Sequence, residues 1–136
     1  MIPIRALAIA VLAAGCEFGH SIRREVPAPA SEACIKVSLA SVPDISDVRA
    51  ERKEGRRPVF YWVAKRQDEW TSGFVTTDAA GIVLETGHMN GHPCDGIAYG
   101  KTILDAILSQ IRQCSVIPDH VVIREECLGI GTCECR

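Results

Sequence analysis

The stretch GIAYGKTILDAILSQIRQC, residues 96–114, decides the fold, because it is the only long run of this sequence with a clear helical period. Its apolar residues recur at steps of three, four and seven, which places them on one side of a helix. These residues are Ile97, Leu104, Ile107, Leu108 and Ile111. Asp95 is the expected N-cap, and Pro118 prevents the helix from continuing. Such a helix is marginal alone and needs an apolar surface to lie on.

Strand-like segments on both sides of this helix supply that surface. Ile35, Val37 and Leu39 alternate with polar or small residues, and this period of two predicts a half-buried strand. Four more strands are predicted from β-branched and aromatic residues, at 58–65, 70–77, 81–86 and 120–124.

Two connections between these strands differ in how clearly their sequence predicts a structure. Residues 78–81, DAAG, predict a tight turn, since Asp can hydrogen-bond to its own backbone and Gly tolerates a positive φ. Residues 44–55, DISDVRAERKEG, leave two alternatives open, a short charged helix or an extended segment that ends in a turn.

The order of the elements predicts the fold class. The predicted order is a strand, an uncertain segment, a three-stranded meander, a helix and a last strand. This order indicates an α+β fold. We expect a mostly antiparallel sheet with one main helix packed on a face, stapled by disulfides. Residues 81–86 are the most apolar of the meander and are expected to lie centrally. One small domain over residues 34–136 would hold all of these elements.

The N-terminal segment MIPIRALAIAVLAAGC has the regions of a secretory signal in order: a charge at Arg5, an apolar run and small residues. The ending Ala13-Ala14-Gly15-Cys16 resembles the lipobox of bacterial lipoproteins, with Ala13 where Leu is usual. The resemblance implies that residues 1–15 are a signal peptide and that Cys16 carries acyl chains such as palmitate. The alternative is an ordinary cleaved signal in which Cys16 is an unmodified residue.

The lipobox resemblance also implies a location. Acyl chains on Cys16 would anchor the chain to a membrane of the bacterial cell envelope, with the domain outside the cytoplasm. Residues 17–31, EFGHSIRREVPAPAS, mix charges with a Pro-Ala-Pro repeat and have no period. We therefore expect residues 16–33 to be the lipidated cysteine and a flexible tether. The alternative is a terminal segment that packs on the domain.

The cysteine count agrees with an exported chain. Of seven cysteines, setting Cys16 aside leaves an even number that allows three bridges. The candidates are Cys34, Cys94, Cys114, Cys127, Cys133 and Cys135. Cys133 and Cys135 have one residue between them, so each is expected to bond elsewhere. The alternative is a zinc site from Cys127, Cys133 and Cys135, but the spacing C-x5-C-x-C is not a familiar zinc pattern.

A second candidate site lies in the loop GHMNGHPCDG, residues 87–96. His88 and His92 lie close together there with Met89 and Asp95, and such side chains suit copper or zinc. The alternative is an exposed connection, because Gly and Pro are frequent in this loop.

Catalysis has weaker support in the sequence. Asp78, Glu85, His88, His92 and His120 are available as acids and bases, but no spacing singles out a pair, and no G-x-S-x-G elbow is present. Among the aromatic residues, alternation sends Phe60 and Trp62 to one face of a strand and Tyr61 to the other. Tyr61, Trp62 and Trp70 are candidates for a ligand surface.

The net charge of −2 argues against a nucleic-acid partner. The basic residues between 49 and 57 alternate with acids and indicate a solvated face. We predict a non-enzymatic envelope protein without a cofactor that binds an envelope protein partner or plays a structural role. The alternatives are a metal-binding envelope protein that uses His88 and His92, and a small envelope hydrolase.

Overall fold

The structure is a computed structural model of the 136-residue chain, and it describes residues 20–89 and 93–129. Strands and helices alternate in chain order, with most strands in one central run. The elements are β1 (His20–Val26), α1 (Glu32–Ala40), β2 (Ile45–Glu51), β3 (Val59–Arg66), β4 (Glu69–Thr77), β5 (Ile82–Met89), α2 (Pro93–Cys114) and β6 (Arg124–Gly129).

The strands form one antiparallel sheet in the order β2-β3-β4-β5-β1-β6. The predicted meander is confirmed as β3, β4 and β5, and β5 lies centrally, between β4 and β1. Helix α2 packs against β1, β4 and β5, and α1 packs beside α2. The predicted class is therefore confirmed: an antiparallel sheet with one main helix on a face, joined by a disulfide.

The core lies between the helices and one face of the sheet. The apolar stripe predicted for α2 is buried along its whole length, from Ile97 to Ile111. Facing it, Phe60 and Trp62 of β3 and Leu84 of β5 are also buried. The apolar side chains on one side of the helix thus pack against those on one face of the strands, and together they form a single apolar layer.

Residues 35–39 form part of helix α1, so the strand predicted there was wrong. Ser31 caps the helix, because its Oγ accepts a hydrogen bond from the N–H of Cys34 at 3.1 Å. Ile35 and Leu39 are buried four residues apart on one side, while Val37 is 61% exposed. Positions 35 and 39 fit both patterns: the period of two that predicted a strand, and the spacing of four that places residues on one side of a helix.

Residues 20–26 form strand β1, so they are not part of a flexible tether. β1 lies between β5 and β6, and its Ile22 and Val26 are buried in the core. The alternative of a terminal segment packed on the domain describes this region better, and the domain begins by residue 20 instead of 34. Residues 1–19, including the lipobox, lie outside the described part of the chain.

The structure also resolves one open alternative and moves two predicted boundaries. Residues 45–51 form strand β2, which decides against the helical alternative there. Helix α2 begins at Pro93, so Asp95 lies inside its first turn and is not its N-cap. The last strand begins at Arg124 instead of residue 120, because the preceding segment turns, with the N–H of Val121 donating to the carbonyl of Pro118 at 3.1 Å.

A disulfide joins Cys34 of α1 to Cys114 at the end of α2, with 5.6 Å between the Cα atoms. Because 80 residues separate these cysteines in sequence, the bridge is expected to stabilise the fold by about 4 kcal/mol, largely by restricting the unfolded chain. Cys127 is also disulfide-bonded, so it is not a free thiolate for zinc. The side chains of the other candidates, Cys94, Cys133 and Cys135, fall outside the described residues.

Gly73 provides a test of the packing between β4 and its neighbours. A Cβ atom at this position would overlap the carbonyl oxygen of Glu85 and lie 2.6 Å from Cζ2 of Trp62. We expect Gly73→Ala to lower the free energy of unfolding by about 3 kcal/mol, measured by urea denaturation. The control is Gly55→Ala, which has φ +71° but meets nothing within 4 Å and should cost about 1 kcal/mol. Equal costs would contradict the packing described.

Candidate functional site

The face of the sheet turned away from the helices is open to solvent in the described part of the chain. Tyr61 of β3 lies on this open face and is 37% exposed, whereas Phe60 and Trp62 are buried on the other face. The alternation predicted for β3 is thus confirmed, and Trp62 is not a ligand-surface residue. The ring of Phe74 meets Tyr61 edge to face at 6.5 Å, and the guanidinium of Arg49 lies 5.3 Å above the Tyr61 ring.

At one end of the sheet lies a groove of about 580 Å³, which we name the end groove. It is formed where the end of β1, the β4–β5 turn and the start of β5 meet the segment before β3 and the start of β6. Its apolar walls are Val26, Pro27, Ala80, Gly81, Ile82, Val83 and Val122, and its charged residues are Glu25, Arg57, Asp78 and Arg124. This volume lies in the range of about 300–1,000 Å³ that is typical of ligand clefts.

Asp78 shapes the end groove through the turn between β4 and β5. Its Oδ1 accepts hydrogen bonds from the N–H groups of Ala80 at 2.8 Å and Gly81 at 2.9 Å, which confirms the predicted DAAG turn. Its Oδ2 lies 2.5 Å from Nη2 of Arg57. The N–H of Gly81 is the largest cause of a lowered pKa at Asp78, and the N–H of Ala80 and the charge of Arg57 lower this pKa further. The carboxylate is therefore committed to the turn.

Gly81 explains why this turn packs so closely on β1. A Cβ atom at Gly81 would overlap the carbonyl oxygen of Val26, the last residue of β1. The absence of a side chain lets the β4–β5 turn and the end of β1 form one continuous wall of the end groove.

The charges at the rim of the end groove are not evenly exposed. The side chains of Arg57 and Arg124 are 63% and 69% exposed, while that of Asp78 is 20% exposed. Arg124 is also paired with Glu126, at 2.7 Å. The guanidinium groups therefore face the solvent, and the Asp78 carboxylate lies beneath its partner.

A smaller depression of about 140 Å³ adjoins the end groove through Arg57. Lys53 and Arg56 of the β2–β3 connection line it, together with Glu51 and the ring of Tyr61. Exposed basic side chains therefore border both depressions, alongside Glu25 in the end groove and Glu51 in the smaller depression.

Glu85, the second carboxylate considered for acid–base chemistry, also has a structural role. Its Oε1 accepts a hydrogen bond from Oγ of Ser21 at 3.1 Å, and its Oε2 accepts one from Nε of Arg23 at 3.0 Å. These bonds join β5 to β1 across the open face. The structure therefore commits Asp78 and Glu85 to separate interactions and does not pair them as acid and base. His120 is exposed in the segment before β6.

The predicted metal ligands are only partly within the described chain. The backbone of His88 belongs to strand β5 and pairs with Ser72, so the loop predicted from residue 87 begins later. His92 lies outside the described residues, and the site of His88 and His92 stays a prediction. In residues 20–89 and 93–129, no group of three or more His, Cys, Asp or Glu side chains is placed to hold a metal ion.

Two polar residues that the sequence did not single out hold helix α2 in place. Tyr99 is buried and donates a hydrogen bond from its hydroxyl to Oδ2 of Asp44 at 3.2 Å. Burial raises the pKa of Tyr99 to about 12, and the negative charge of Asp44 acts in the same direction. The signal that could have indicated Tyr99 is its spacing of four from Ile103, which places both residues on one side of the helix.

Arg24 is the other such residue. Its side chain is 11% exposed and pairs with Asp105 of α2 and, at 2.9 Å, with Glu125 of β6. Nζ of Lys101, also on α2, lies 3.7 Å from Glu125. This group of charges connects the helix to two strands, and no local sequence pattern indicated it.

No helix among the described residues is both long and apolar enough to cross a membrane. No protein-family model matches the sequence, and no curated protein or solved structure matches it either.

Proposed function

We propose that this chain is a lipid-anchored, non-enzymatic module of the bacterial cell envelope that binds an envelope protein through its end groove. The observation that carries the proposal is the groove itself, with apolar walls and two exposed arginines, Arg57 and Arg124, at its rim. The partner that fits it is an extended protein segment with acidic and aliphatic side chains. Its aliphatic groups would lie against the accessible lining residues Pro27, Val83 and Val122. Its carboxylates would meet Arg57 and Arg124.

The anchor in this proposal is Cys16, which lies four residues before His20. Four residues of extended chain span at most about 14 Å. Because β1 begins at His20, a lipidated Cys16 would hold the sheet close to the membrane surface. More than one acyl chain would be needed for stable anchoring, as the lipobox resemblance implies.

The occupied carboxylates support a binding role over a hydrolytic one. Asp78 is held by the turn and by Arg57, and Glu85 is held by Ser21 and Arg23. The hydrogen bonds and the charge that lower the pKa of Asp78 also make its carboxylate a weaker base, whereas a general base works best with a pKa near the working pH. The metal-binding alternative depends on His88 and His92.

The lipid anchor is tested on the full-length chain expressed in bacteria with an alkyne analogue of palmitate. We expect the native chain to carry the label and to sediment with membranes, since the acyl chains bind lipid. Cys16→Ala should lose the label and leave the membrane fraction, while the control Glu17→Gln should keep both properties. A native chain that carries no label, or a labelled Cys16→Ala, would refute the anchor.

The end groove is tested with a displayed library of random peptides of about twelve residues, presented to the full-length chain in mild detergent. We expect enrichment of peptides that combine acidic and aliphatic residues. The double variant Arg57→Gln, Arg124→Gln should bind them about fivefold more weakly, since each exposed charge pair contributes about 0.5 kcal/mol.

The matched control for this experiment is Lys36→Gln, Arg112→Gln, which removes the same charge from exposed positions on the helices. It should leave peptide binding unchanged. Enrichment of basic peptides, or an equal loss in both double variants, would show that the end groove does not bind in this way.

A further inference from the structure

Strand β2 forms one edge of the sheet and has a strand neighbour only on its β3 side within the described residues. Its five central residues are all exposed. An exposed edge presents unpaired N–H and C=O groups, and natural proteins usually blunt such edges with charged side chains, proline or a bulge. Strand β2 has no lysine or proline, and its irregular pairing lies before Asp47, so the protection of its central part depends on charges that a partner of complementary charge would neutralise.

The side chains of β2 carry an ordered pattern of charge. Asp47 and Arg49 pair with Val63 and Tyr61 of β3, on the open face of the sheet. Val48 lies between them, pairs with Trp62 and is 38% exposed at the edge. Asp47 has no charged partner in residues 20–89 and 93–129. The edge thus presents one acid, one exposed valine and one base in succession.

This pattern is self-complementary in one antiparallel register. If a second copy places its Val48 opposite Val48, the Asp47 of each copy lies opposite Arg49 of the other. The twofold symmetry repeats this pair, so the interface contains two pairs of opposite charges, both on the same face of the sheet. The two Val48 side chains meet on the axis and bury each other.

The neighbouring registers are disfavoured by the same residues. Shifting one copy by two residues in one direction sets Arg49 opposite Arg49 and Asp47 opposite Glu51. A shift in the other direction sets Asp47 opposite Asp47. Like charges directly opposite each other destabilise a strand pair, so the charges select the register centred on Val48.

We propose that β2 is the interface of a homodimer, in which two copies pair their β2 strands antiparallel around Val48. The two sheets then form one continuous sheet with its twofold axis normal to the sheet. This interface involves other residues than the end groove and does not depend on lipidation. Where Cys16 is lipidated, its short reach lets both anchors enter one bilayer when the joined sheet lies along the membrane. The end grooves, at the strand ends, then stay open at the side.

The test uses full-length chains carrying two different affinity tags, expressed together in bacteria and extracted in mild detergent. Native copies should co-purify. Two copies of Asp47→Arg, or two of Arg49→Asp, should co-purify at least about tenfold less, because each brings like charges together twice. A mixture of Asp47→Arg with Arg49→Asp should co-purify as the native chain does, since every pair is again opposite in charge.

The mixture also controls for folding, because two misfolded variants would not restore each other. The double variant Asp47→Arg, Arg49→Asp should pair with itself. Val48→Cys should give a disulfide-linked dimer on mild oxidation, and Val37→Cys, exposed on α1, should not. Failure of the native copies to co-purify would overturn the proposal. Native co-purification of either single variant with itself, or no rescue in the mixture, would do the same.

Discussion

The insertion of β1 between β5 and β6 is the pairing on which the rest of this structure depends. Ile22 and Val26 of β1 enter the core, and the backbone N–H of Ile22 donates to the buried Oγ1 of Thr86 at 2.7 Å. Without β1, strand β6 would have no neighbour within the described sheet. The chain then passes directly from β1 into α1, whose Cys34 is bonded to α2. The segment nearest the N-terminus thus connects the sheet, both helices and the last strand.

The sequence of β1 does not indicate a core strand, because one of its residues on the buried face of the sheet is an arginine. A guanidinium removed from water destabilises a fold unless carboxylates compensate it, and Arg24 meets Asp105 and Glu125. These partners are 81 and 101 residues away in sequence. Removing the carboxylates around the largely buried Arg24 would lower the free energy of unfolding by more than the loss of an exposed ion pair would. This group of charges therefore fixes the position of α2 over β1 and β6. The open face of β1 carries Arg23, which is balanced in the same way by Glu85.

The features predicted correctly from the sequence are those with a local cause. The stripe of α2, the three strands of the meander and the DAAG turn each follow from residues within one short window. The predictions at residues 20–26 and 35–39 were wrong because the structure of these residues depends on distant partners. Segment β1 carries several charges and forms a strand because it pairs with β5 and β6 and because Asp105 neutralises Arg24. Residues 35–39 are helical because Ser31 caps α1 and because α1 packs on α2. The end groove was missed for the same reason, since its walls come from segments that only the sheet order brings together.

Hydrogen exchange of backbone amides in the full-length oxidised chain would distinguish a strand from a tether at residues 20–26. We expect the amides of Ile22–Val26 to exchange at least about a hundredfold more slowly than an unstructured peptide, and on the same timescale as those of Ile82–Leu84 in β5. Exchange of the β1 amides at the rate of an unstructured peptide, with β5 still protected, would contradict this account.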